Sequence, residues 1–126
     1  MAIQPAVFMV RPNTQDFHGV GVLSWGPLAN GDTGAPVQLP ANSDRSIHIF
    51  GTFGAGGTVV VQVSNELIAP VNWVTATDPS GAAISVTSLA LKAIIEVSRW
   101  IRVSVTAGDG TTSLTAALLV RRTQAP

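Results

Sequence analysis

The sequence predicts an all-β protein, a single-domain antiparallel β-sandwich or jelly roll of about eight strands with an extended N-terminal arm. Three observations carry that expectation. From Arg45 onward, short runs alternate apolar and polar residues, the period of a half-buried strand. Turn signatures separate those runs at intervals of about 8–12 residues, the spacing of a sandwich. No stretch sustains a helical period for more than about one turn.

Residues 1–44 differ from the rest. They hold five of the eight prolines, Pro5, Pro12, Pro27, Pro36 and Pro40. Proline fixes φ and removes a ladder donor, so long central strands are not expected here. Two short runs, 6–10 and 19–25, and a possible edge strand at 37–39 flank the Asn30-Gly31-Asp32 turn. The chain divides into 1–44, a proline-rich arm with peripheral strands, and 45–126, the sandwich core, as one domain overall. In the arm, Val7 and Met9 share one side of an extended chain and Phe8 shares the other with Val10. Such a segment can add to an exposed edge, so residues 1–16 are expected to cross to another subunit.

In the core, 45–53 places Ile47, Ile49, Gly51 and Phe53 in one phase. A glycine-rich turn at 54–57 leads to a β-branched strand at 57–64 with Val59, Val61 and Val63 inward. Residues 64–70 read as a loop and 71–77 as a strand carrying Trp73. Asp78-Pro79-Ser80-Gly81 is a turn signature, 84–86 a short strand and 88–92 a single helical turn. Residues 99–122 read as a hairpin centred on Asp109-Gly110, with Val105 opposite Leu114, Val103 opposite Ala116 and Ile101 opposite Leu118. That register sorts one wholly apolar face from a mainly polar one.

Composition narrows the function classes. The 126 residues are 46% apolar and only 11% charged, against about 25% charged in ordinary domains. A surface so poor in charge is expected to be covered in part by another protein. Formal net charge is zero, with one lysine, Lys92, and six arginines. That balance argues against phosphate tracking, which needs positive charge over an extended surface, so no nucleic-acid partner is expected. There is no cysteine, hence no disulfide framework. No apolar run reaches the length of a membrane helix, so no membrane partner is expected, and residues 1–10 make a poor signal peptide.

The search for chemistry yields no enzyme, no metal site and no cofactor. His18 and His48 are the available bases. Asp16 and His18 share a strand face, too few ligands for a metal. Four of the five aspartates adjoin turn-forming residues, and nothing in the spacing brings Glu66 to Glu96. Trp73 is expected in the core, whereas Trp100, opposite Leu119 on the polar hairpin face, marks a second covered surface. Asn65, Asn72 and Trp73 form an alternative ligand site, aromatic platform with amide donors. Arg99, Arg102, Arg121 and Arg122 gather at the hairpin end far from its turn, as forked donors for a partner's carboxylates.

Residues 51–65, Gly-Thr-Phe-Gly-Ala-Gly-Gly-Thr-Val-Val-Val-Gln-Val-Ser-Asn, open a longer pattern. It continues through Asn72-Trp73, Thr77-Asp78 with Gly81, Arg99-Trp100-Ile101-Arg102, 108–115 and Arg121-Arg122. Over 51–122 this resembles small structural proteins of tailed phages, nearest to the capsid cement, or decoration, proteins of jelly-roll type. The chain departs from that pattern at 65–69, Asn-Glu-Leu-Ile-Ala, where such modules often carry Asn-Asp-Gly. The resemblance implies a non-catalytic virion protein, made in the host cytoplasm and seated on the outer capsid surface. There it would bridge major capsid protein subunits as a homodimer or homotrimer, through Val7, Phe8, Met9, Trp100 and the four arginines. The alternative expectation is a carbohydrate-binding or tail- or fibre-associated β-sandwich module.

Overall fold

The computed structural model describes residues 2–9, 20–39 and 44–121. These form twelve strands and no helix. In chain order they are β1 (Ile3–Gln4), β2 (Ala6–Met9), β3 (Val20–Leu28), β4 (Thr33–Gly34), β5 (Val37–Gln38) and β6 (Asp44–Thr52). Then follow β7 (Thr58–Ser64), β8 (Val74–Thr75), β9 (Ser85–Val86), β10 (Ala90–Ile94), β11 (Trp100–Ala107) and β12 (Ser113–Arg121). One sheet has seven strands, β1-β4-β11-β7-β8, with β5 also on β11 and β9 on β7; the other has five, β10-β6-β12-β3-β2. The two sheets share one apolar core, to which β7 and β11 bring Val59, Val61, Ile101 and Val103, and β3, β6 and β12 bring Trp25, Ile47 and Leu118. The fold is thus an all-β sandwich.

The expected hairpin does not form. β11 pairs with β7, β5 and β4, whereas β12 pairs with β6 and β3, in the opposite sheet. Ile101, Val103 and Val105 face the core from one sheet while Leu114, Ala116 and Leu118 face it from the other. Both arrangements satisfy the same alternation, because each strand needs only one buried face. The connecting turn decides between them. A two-residue hairpin of the type expected needs positive φ at both central residues. Among the described residues positive φ occurs at Gly31, Gly51, Gly54, Gly56, Ala69 and Gly81, not at Asp109 or Gly110. Asp109 instead opens a four-residue turn, its carbonyl accepting from the Thr112 amide at 3.2 Å, that carries the chain across the sandwich.

That crossing is clipped to the glycine turn between β6 and β7. The Asp109 carboxylate accepts from the Ala55 amide at 2.8 Å and from both the amide and hydroxyl of Thr111. Thr112 Oγ1 donates to the Phe53 carbonyl at 2.8 Å. Gly54 is required at this joint: its φ is +71°, and a Cβ there would lie 2.3 Å from Asp109 Oδ1.

Two further expectations are corrected. Residues 20–28 form a nine-residue strand beside central β12 rather than a peripheral one. Pro27 is tolerated because it lies past the last β2 pair, Ala6 with Trp25, and at the register shift between Leu114 and Ala116. Trp25 is fully buried, its Nε1 donating to the Ala35 carbonyl at 2.8 Å, and bare Gly34 lies against its ring. Residues 90–94 are an edge strand on β6, not part of a helical turn. The Asp78 turn does form, with the Gly81 amide on the Asp78 carbonyl and Gly81 at positive φ.

The start of the chain closes on its own sandwich. β1 runs parallel to β4 in one sheet, and β2 runs antiparallel to β3 in the other. Buried Asp32 fastens it, accepting from the amides of Ala2 and Ala29 and from Gln4 Nε2 at 3.0–3.2 Å. The Ala29 amide leads the causes that hold the Asp32 carboxyl below its ordinary value. The expected crossing to another subunit is not what residues 2–9 do; the remainder of the predicted arm, 10–16, lies outside the described residues.

Candidate interaction surfaces

The arginines predicted to gather are separated. Arg121 lies on the outer face of the five-stranded sheet, where Nη2 and Nε reach Asp44. Arg102 lies on the outer face of the seven-stranded sheet, Nε donating to Gln62 Oε1 at 2.8 Å. Arg99 bonds the Gln38 side chain through Nε and Nη2 at 2.9 and 2.8 Å, with the amide turned to present its oxygen. Arg122 lies outside the described residues. The physical reason is the missing hairpin: the two ends that were to meet belong to opposite sheets. Trp100 and Leu119, expected to be neighbours, part for the same reason.

Sequence reasoning passed over Arg45. It is 4% exposed and donates to Ser98 Oγ, the Ser98 carbonyl and the Leu39 carbonyl at 2.6–2.8 Å. Burial holds its guanidinium below the ordinary value. Phase was the available signal, since Arg45 shares the inward side of β6 with Ile47 and Ile49.

Asn65, Asn72 and Trp73 border one loop, and each is occupied within it. Asn65 Oδ1 accepts from the Arg99 amide at 2.8 Å. Asn72 Nδ2 donates to Glu66 Oε2 at 3.3 Å. Trp73 is half-buried rather than in the core, and the Arg102 guanidinium covers its ring at 4.3 Å from the centroid. Glu66 organises the loop: its Oε1 accepts from the amides of Asn72 and Val71, and its carbonyl accepts from Trp100 Nε1. Those amides, Asn72 first, hold the Glu66 carboxyl below its ordinary value. The clamp leaves three aliphatic side chains facing out, Leu67 at 73%, Ile68 at 83% and Val71 at 77% exposure. An ordered loop with an apolar tip is the form of a contact element.

The outer faces of the two sheets differ in chemistry. On the seven-stranded sheet, register places Thr33, Ser104, Val60 and Ser85 in one row and Arg102, Gln62 and Thr75 in another. On the five-stranded sheet, one row runs Leu91, His48, Ala117, Ser24, Val7 across every strand. The row on one side of it holds Ala93, Ser46, Leu119 and Val22, and on the other side Phe50 pairs with Thr115. The His48 and Phe50 rings are 4.8 Å apart. Asp44 and Arg121 are the charged residues of this face among those described, and they pair at one end of it.

No family model matches the chain, and no curated protein or solved structure matches it.

The other carboxylates are committed to backbone geometry. Asp78 accepts from the amides of Ser80 and Ala82 and from the Ser80 hydroxyl, with Lys92 Nζ at 3.6 Å. Glu96 accepts from the amide and hydroxyl of Thr77. Glu66 and Glu96 therefore brace different turns. Among the described residues no group of three or more His, Cys, Asp or Glu side chains is placed to hold a metal. Asp16 and His18 lie outside those residues. Among the described residues no helix is long and apolar enough to cross a membrane.

Proposed function

We propose that this chain is a non-enzymatic virion structural protein, a cement that sits on the outer surface of a phage capsid and bridges major capsid protein subunits. The observation that carries the reading is how the molecule spends its side chains. The described carboxylates are tied into turns or ion pairs, while large aliphatic groups stand outside. That distribution favours area contact over chemistry at a pocket. Connectivity supports the jelly-roll form of the sandwich. Pairing is nested: β3 with β12, β4 and β5 with β11, β6 with β10, and β7 with β8 and β9. A long two-stranded ribbon folded over a core gives that order.

In this reading the Leu67–Ile68–Val71 tip is the capsid contact, since the Glu66 clamp orders it before binding. The carbohydrate alternative receives less support, because its amides and ring face are engaged internally. Shells assembled with the protein should resist heat or osmotic shock better than shells without it. The double substitution Leu67→Ser, Ile68→Ser should lower shell occupancy while leaving the monomer's melting temperature in place. Equal resistance of bare and coated shells, or unchanged occupancy in the double variant, would sink the corresponding half of the proposal.

A further inference from the structure

We infer that the outer face of the five-stranded sheet is a self-association surface, and that its occupant is the same face of a second copy. The inference deepens the cement reading by assigning one of two contacts to the chain itself. Two observations favour a copy over a partner of different chemistry.

The first is charge. Interface cores are depleted of charged residues, because desolvating an unpaired ion costs more than packing returns. Here His48, Ala117, Leu119 and Val22 occupy the middle of the face, and the Asp44–Arg121 pair stands at its end. Among the described residues the face offers no unpaired carboxylate, lysine or arginine to attract a charged partner. An identical face matches it, and both ion pairs stay at the rim of the joint, in water. The outer face of the seven-stranded sheet lacks this property, since Arg102 stands within it.

The second is area. Five strands about 4.8 Å apart and four outward rows about 6.8 Å apart give a patch of roughly 19 by 20 Å, on the order of 400 Å² measured flat. Two such faces bury on the order of 800 Å² flat, and more once side-chain relief is counted, the low end for a specific interface. That suits a weak, two-fold dimer whose population rises with concentration, sheet packed on sheet at about 10 Å.

Sedimentation velocity of the purified full chain over a rising concentration series should show monomer giving way to dimer. Leu119→Lys and Leu91→Lys, both exposed sites on this face, should each sediment as monomer throughout with an unchanged circular dichroism spectrum. Thr106→Lys, exposed on the other sheet, should dimerise like the parent. Because the chain has no cysteine, single cysteines extend the test. Ala117→Cys should couple through a bismaleimide of about 10 Å reach, the spacing of packed sheets, and Thr106→Cys should not. The cysteine pair decides the matter even if a lysine variant fails to fold. A parent that stays monomeric, a dimer that survives both lysines in folded form, or coupling at Thr106→Cys alone would overturn the inference. The capsid reading fails separately: a monomer that still coats shells removes only the dimer, and a dimer that coats none removes only the cement role.

Discussion

Asp109 shows how one side chain sets a joint between elements. Its carboxylate is held at about 2, against 3.8 ordinarily, chiefly by the Thr111 hydroxyl and then by the Ala55 and Thr111 amides. The sign follows from linkage. A carboxyl whose folded value is depressed stabilises the fold above its unfolded value, and that contribution disappears as pH falls from about 4 through about 2. Asp109→Asn should therefore be less stable than the parent at neutral pH and approach it in that acid window. Melting temperature against pH for both proteins checks this; parallel curves would show the carboxylate contributes nothing. Asp109 was legible in sequence as a turn residue. Its reach to Ala55, fifty-four positions away, was not, because Gly54 and Asp109 meet only after the sheets have closed.

At the scale of elements, alternation revealed which side of each strand is buried and left open what lies beside it. Val59, Val61 and Val63 and then Ile101, Val103 and Val105 are inward as the period of two requires. The same period assigned β11 and β12 to each other, because a pair in one sheet and a pair across the core bury the same atoms. Register here is written by β6, β7 and β3, not by the Asp109 turn. One consequence separates the two arrangements. Inserting a single glycine after Gly110 into a true hairpin would shift every partner and turn one strand inside out. In this crossing it should only loosen the Asp109 and Thr112 bonds, at a cost of about 1–3 kcal/mol. Denaturation gives the cost, and amide exchange should find the β12–β6 and β12–β3 ladders still protected. Loss of those ladders would restore the hairpin.

For the whole molecule, the sandwich was legible and its seams were not. Turn spacing and period foretold two layers, yet proline counts misplaced the first third of the chain. The prolines were read as excluding long central strands there, when a bulge and the end of β2 make room for Pro27 within β3. The surface was less legible still. Low charge pointed to covered area, but only the register shows that Arg102 stands within one outer face while Arg121 stands at the end of the other, paired with Asp44. The N-terminal segment joins both layers, with β1 on one sheet and β2 on the other. It also covers the edge of β3, at the border of the charge-poor outer face. An uncovered edge beside apolar surface is a template for other chains. Deleting residues 1–9 should thus lower the melting temperature and replace a defined oligomer by open-ended aggregates, visible as concentration-dependent light scattering with β-type circular dichroism retained. Asp32→Ala, which removes the fastening and keeps the strands, should show the same change in weaker form. A truncated chain that melts with the parent and scatters no more light would mean that β1 and β2 cover nothing the sandwich needs covered.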